Sequence, residues 1–181
     1  MANGPIDALD VRLLTTMRAN PRIGLTELAR LLGVARGTVQ ARVDKLTSRG
    51  VIGDFGPTID PTEVGYPILA FVSLQISQGR LAEAVEALGL VPEILEVHGT
   101  SGQADLLCRV VAHNTAHLQQ IIAQVLASPA VQRTDTTIAL STQIPYRIDP
   151  LLHTAAGGSS PRKAPQEPAV TRQVRSGQVL G

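Results

Sequence analysis

Residues 25–52 read LTELARLLGVARGTVQARVDKLTSRGVI, and their spacing decides how the front of the chain folds. Leu28, Leu31 and Leu32 recur at helical intervals. Thr26 stands where it can cap that helix, and Gly33 supplies a left-handed stop. A second helix from about Ala35 to Ser48 places Val39, Val43 and Leu46 at i, i+4 and i+7. Two short amphipathic helices joined by a tight turn, the second rich in base, form the helix-turn-helix pattern. That pattern sets its second helix into the major groove of duplex DNA.

Upstream, Ile6, Leu9, Leu13, Leu14 and Met17 keep helical spacing, with Asp7 and Asp10 in the first turn, where the helix dipole favours acid. Asn20-Pro21 ends that helix. Three helices around one small core make a plain or winged helix-turn-helix domain over residues 1–52. Downstream, Gly53, Gly56 and Pro57 punctuate a linker (53–66), and Val51-Ile52 and Thr58-Ile59 are expected to pair as short strands.

From Gly65 the period changes from helical to alternating. PILAFVSLQIS (67–77), ILEVHGT (94–100), DLLCRVVA (105–112) and RTDTTIALSTQI (133–144) read as strands, and 80–88 and 114–127 as helices. The order βαββαβ predicts a ferredoxin-like α+β domain over 67–147, a four-stranded antiparallel sheet with both helices on one face. The other face still carries apolar residues, so a second copy is expected to cover it. Residues 148–181 are rich in Pro, Gly, Ser and Gln without apolar period, and read as a disordered tail. Arg162, Lys163, Arg172 and Arg175 in that tail could add weak phosphate contacts.

Composition narrows the function. The chain has 181 residues and a net charge of +1. Residues 1–56 carry eight Lys/Arg against five Asp/Glu, and residues 57–147 four against eight. A basic front suits a polyanion, and an acidic middle suits a separate domain. Two Phe, two Tyr and no Trp argue against a base-stacking platform for single strands. The single cysteine, Cys108, excludes a disulfide framework and lies in an apolar strand, where packing outranks nucleophilic chemistry. No run approaches about 18 uninterrupted apolar residues and no signal-peptide order is present, so a soluble cytoplasmic protein without membrane attachment is expected.

Taken in order, IDxxDxxLL (6–14), RxNxRIGLTELAxLLGV (18–34), TVxxRVDKL (38–46), GVI (50–52), DFGPTIDPxxVGYP (54–67) and TSGQADLLCRV (100–110) resemble the Lrp/AsnC (feast/famine) family of transcription regulators over residues 6–147. The resemblance implies a front domain that binds operator DNA as a dimer, with residues 54–67 similar to the family's linker strand. It implies a back domain that builds homodimers into higher oligomers, often octamers, and binds a free amino acid as effector, without a cofactor and without catalysis.

Within the second helix, inward Val39, Val43 and Leu46 leave Arg36, Gly37, Thr38 and Gln40 near the groove-facing half. Arg can pair with guanine, Gln with adenine, and Thr with phosphate or a thymine methyl. Lys45 and Arg49 fall nearer the backbone, and Thr26 joins this DNA-binding set. Arg42 matches the arginine of the family's TVxxR pattern, or else pairs with Asp10 or Asp44 and braces the fold. Ala35 and Gly37 depart from the serines common at these places; a lost cap costs about 1 kcal/mol, so weaker or narrower DNA binding is expected.

The loop His98-Gly99-Thr100-Ser101-Gly102-Gln103-Ala104-Asp105 is the second candidate site. Its glycines let backbone N–H groups approach a carboxylate, and Asp105 can hold an α-ammonium. Taken alone it also reads as a hairpin turn capped by Asp105; the resemblance favours an effector site at His98, Gly99, Thr100, Ser101, Gly102, Gln103 and Asp105. Ala104 replaces an aromatic frequent in relatives, leaving room for a larger side chain. His113 and His117 have helical chelate spacing, but His113 precedes the cap Asn114 and no ligand set is completed, so no metal is expected. An architectural, weakly specific DNA-wrapping protein is the alternative; the modest front-end charge argues against it. A small enzyme lacks any convergent acid–base set.

Overall fold

The structure, a computed structural model, describes residues 6–53 and 56–157. Among the described residues the chain divides into two compact units, one of residues 6–53 with 146–157, the other of residues 56–145.

The first unit, the head, contains α1 (Ala8–Ala19), α2 (Leu25–Leu32) and α3 (Arg36–Ser48). Asp7 and Asp10 form a reciprocal capping box at the start of α1, each side chain accepting the other's backbone N–H. Gly33 is left-handed (φ 70°, ψ 34°) as the turn requires. Its N–H donates to Arg30 O at 3.3 Å and that of Val34 to Ala29 O at 3.1 Å, closing α2 in a Schellman motif. The Arg12 guanidinium, 3.1 Å from Leu32 O, satisfies one more terminal carbonyl. Leu13, Leu14, Leu28, Ala29, Leu32, Val39 and Leu46 form the core, with Val43 half-buried beside it.

Three expectations for this unit and the linker that follows it change. Gly24, not Thr26, caps α2; Gly24 is extended (φ −79°, ψ 155°) while Thr26 already lies inside the helix, and no side chain caps it. Val51 and Ile52 form no strand, because both N–H groups return to Leu46 O (2.9 and 3.2 Å) to finish α3 at the left-handed Gly50. Among the described residues, Thr58-Ile59 and the rest of the linker also lack strand structure; Asp60 instead organises a turn, accepting the Thr62 N–H at 2.9 Å. Finally, the expected tail begins with a helix, α6 (Asp149–Ala155), which belongs to the head. Leu152 packs against the head core and Asp149 accepts the Arg18 Nε–H at 2.9 Å. A Pro-started turn with one apolar contact is too short to show a period in sequence. Arg162, Lys163, Arg172 and Arg175 lie outside the described residues.

The second unit has the predicted order: β1 (Ile68–Ile76), α4 (Leu81–Gly89), β2 (Ile94–Gly99), β3 (Leu106–Ala112), α5 (Thr115–Leu126) and β4 (Val131–Ala139). The antiparallel sheet runs β2-β3-β1-β4. Ala70, Val72 and Leu74 register with Val110, Cys108 and Leu106, and these residues meet Ala84, Leu88, Leu118, Ile121 and Val125 of the helices in one core. β4 was expected to continue to residue 144, yet it ends at Ala139, opposite Leu69, where β1 itself runs out; Leu140 is 96% exposed. The opposite face of the sheet presents Leu69, Phe71 (39% exposed) and Leu107, then Ser73, Gln75, Arg109, Arg133 and Asp135. Among the described residues no helix is long and apolar enough to cross a membrane.

Candidate functional site

In the head, Ala35 begins α3 without a side-chain cap, as its methyl dictates. Arg36, Gly37, Thr38 and Lys45 are exposed on α3, Gln40 and Arg49 are half-buried, and Thr26 is exposed on α2. Val39 and Leu46 are buried, so the inward and outward faces of α3 fall where their spacing placed them. Arg42 takes the bracing role: its Nη1 lies 2.8 Å from Asp10 Oδ1 and also pairs with Asp7. Asp10 is the one buried charged residue among those described, at 3% exposed. The guanidinium therefore ties α3 to the capping box of α1, holds the Asp7 carboxyl below the usual carboxylate range, and has its own proton affinity raised in return. Asp44, the alternative partner for Arg42, instead accepts from Gln40 Nε2 at 2.8 Å.

In the sheet unit, the loop between β2 and β3 is a closed hairpin. The Thr100 N–H donates to Asp105 O at 2.9 Å, and Thr100 Oγ1 donates to Ala104 O at 2.6 Å. The Asp105 carboxylate accepts the Ile76 N–H at 2.7 Å while its own N–H donates to Leu74 O, so Asp105 clasps the loop to the end of β1. Gly102 takes a positive φ of 139°, which a side chain would resist. His98 lies beside Glu96 at 3.3 Å; with Arg109 it draws that carboxyl below its ordinary range.

Part of this loop lines a cavity. Gln103 and Ala104 line a concavity of about 230 Å³ together with Ser73 and Gln75 of β1 and Arg133, Thr134 and Asp135 of β4. Gln75 Nε2 donates to Gln103 O at 3.0 Å and fixes the loop against the strand. His98, Gly99, Thr100, Ser101 and Gly102 do not line it. The β1 and β4 residues escaped sequence reading, although a signal was present: the outward positions of both strands turn polar at this end, Ser73 and Gln75 on one and Arg133 and Asp135 on the other. A cation and an anion two residues apart share one face of β4, and among the described residues neither engages another side chain.

The remaining candidates carry packing. His113 precedes the cap Asn114, whose side chain accepts the His117 N–H at 2.8 Å. The imidazoles stack at 4.9 Å, and Tyr66 stacks on His113 at 4.0 Å, joining the approach to β1 to the start of α5. Cys108 is buried, and burial pushes its thiol up to about 11, against nucleophilic use.

The family model of the AsnC-type helix-turn-helix domain matches residues 6–47, and that of the Lrp/AsnC ligand binding domain matches residues 69–148. The HTH-type transcriptional regulator FL11 of Pyrococcus horikoshii is 31% identical over 76% of this chain and 91% of its own length. The solved structure of E. coli AsnC has a TM-score of 0.75 at 28% identity, covering 80% of this chain and 99% of that one. A Neisseria meningitidis transcriptional regulator, NMB0573, solved as an L-Met complex, shares the fold at a TM-score of 0.70 and 21% identity over 82% of this chain and 99% of its own. With both domain types matched in order, the chain belongs to the Lrp/AsnC family of non-enzymatic transcriptional regulators.

Proposed function

We propose that the chain is a sequence-specific DNA-binding regulator whose assembly or DNA binding is modulated by a free amino acid, working in the cytoplasm beside the chromosome. The observation that carries the effector is the concavity over β1 and β4. An α-amino acid carries its carboxylate and its ammonium on the same carbon. Arg133 answers the first by bidentate donation, Asp135 the second, and Ser73, Gln75 and Gln103 supply neutral hydrogen bonds. Ala104 leaves the rim open to a large side chain. The glycine loop contributes through Gln103 and Ala104, with Asp105 holding its shape rather than the ligand. The L-Met complex of the similarly folded Neisseria regulator accords with an effector of this class.

DNA binding is assigned to α3 through Arg36, Thr38 and Gln40 toward bases and Lys45, Arg49 and Gly37 toward the backbone, with Thr26 at the start of α2. Arg42 is a brace. The open sheet face around Phe71 serves a second copy, and dimers of this kind build the higher oligomer.

Light scattering and gel-shift titration on the chain's own upstream region, with and without an amino-acid panel, test this reading. At least one amino acid should change oligomer mass or the gel-shift midpoint, and Arg133→Ala or Asp135→Asn should abolish that response while DNA binding persists. Calorimetry showing no binding by any member of the panel overturns the effector reading. Equal affinity for operator and random duplex, with a steep salt slope, would make the chain an architectural protein instead.

A further inference from the structure

The outward side chains of α3 differ in their surroundings. Arg42 is bound to Asp7 and Asp10, whereas Gln40 is held by Asp44, one turn along the same helix, with Nε2 donating to Oδ1 at 2.8 Å. A glutamine amide on an exposed helix face can turn over, exchanging its donor and acceptor ends. A neighbouring carboxylate removes that freedom, because it accepts only: the NH2 end must face Asp44 and Oε1 must face away. The second N–H of Gln40 stays available beside Oε1, and that donor–acceptor pair matches N7 and the N6 amino group of adenine.

We propose that Asp44 is a positioning residue for base recognition, setting the polarity of Gln40 so that α3 presents one hydrogen-bonding pattern rather than two. This rests on the reading of α3 as the DNA-facing helix. Asp44 also acts through its charge. A carboxylate on the groove-facing helix opposes phosphate approach, so it lowers affinity for duplex of any sequence while leaving the matched site its base contact. Polarity and charge together widen the ratio between the matched site and random DNA.

The test selects sites from a randomised duplex pool with the full-length chain, then titrates the recovered site and its single-base variants against Asp44→Ala, Asp44→Asn and Gln40→Ala. Asp44→Ala should flatten the preference at one base position per half-site by roughly tenfold, within the range that a bidentate base contact supplies. Asp44→Asn keeps an acceptor oxygen facing Gln40 and should retain most of that preference. Both substitutions should tighten binding to random duplex, since both remove the charge. A role confined to helix stability would lower the melting temperature without moving base preference. The inference is overturned if Gln40→Ala loses the preference and Asp44→Ala keeps it. If Gln40→Ala also leaves every position unchanged, Gln40 reads no base and the DNA-facing assignment of that residue fails with it.

Discussion

The head and the sheet unit are held together by different physics. The sheet unit buries the facing sides of four strands and two helices in one continuous apolar core, from Ala70 and Leu74 through Cys108 to Ile121 and Val131. The head has a smaller core and adds polar fasteners at its periphery: the Asp7–Asp10 capping box, Arg42 bound to both carboxylates, Arg12 on the end of α2, and Arg18 on Asp149. Small cores leave little surplus over chain entropy. The head therefore leans more on interactions that respond to pH and single-atom changes, while the sheet unit, which also carries the Glu96 and Asp105 contacts, rests chiefly on packed area.

Removing core volume should show that contrast at its largest. Leu46 is fully buried where α3 meets α1 and α2, and Leu46→Ala should cost about 2–5 kcal/mol. In a calorimetric scan of the full chain, the head should then melt as a separate, earlier transition while the sheet unit keeps its own. A single transition moving as one would show that the two units share their stability, and would end the comparison.

Acid should separate the units next. The Arg42 guanidinium lowers the Asp7 carboxyl in the folded head. Its contribution is present above the unfolded carboxylate range and is lost as pH falls through the lowered value. Because Asp7 is half-exposed, solvent screening keeps this pH contribution small. Arg42→Ala goes further, leaving buried Asp10 without its cation, and should cost about 1–3 kcal/mol in urea melts near neutrality. The same substitution should also flatten the acid limb of head stability between neutrality and pH 3. An unchanged melt with lost gel shift would return Arg42 to the DNA-contact set.

The two units also differ in how much of them could be read from sequence. All of the proposed base-reading side chains of the head lie on α3, where a period of 3.6 sorts Val39 and Leu46 from Arg36, Thr38 and Gln40 without knowledge of anything else. The order of strands and helices was equally legible, from alternation in β1 and from short apolar runs between turn residues in β2 and β3. What failed to show was whatever depends on partners distant in sequence. The concavity needs Gln75, Gln103 and Arg133, which come together only when β1 pairs with β4 and the hairpin folds over β1. The end of β4 is set by where β1 stops, and α6 is a helix because Leu152 and Asp149 find the head. Thr26 misled for a local reason: a threonine suits a cap, but Gly24 reaches the extended conformation first and the helix begins before Thr26.

The smallest expected effect bears most directly on the head. Ala35 occupies the N-cap of α3 in an extended conformation (φ −65°, ψ 144°), the geometry a capping side chain needs, and offers the first-turn N–H groups its backbone carbonyl, which accepts from Thr38 at 3.0 Å, but no side-chain oxygen. Ala35→Ser requires no backbone change and should add about 0.5–1 kcal/mol to head stability, raising its transition and leaving that of the sheet unit in place. The effect on DNA decides between two uses of those N–H groups. If they are satisfied by water in the free protein and by a phosphate in the complex, the new hydroxyl competes with the phosphate for one donor and adds a donor of its own, so affinity changes little while stability rises. If affinity instead rises in step with stability, the head is partly unfolded before it binds, and its small core, rather than its surface chemistry, limits DNA binding.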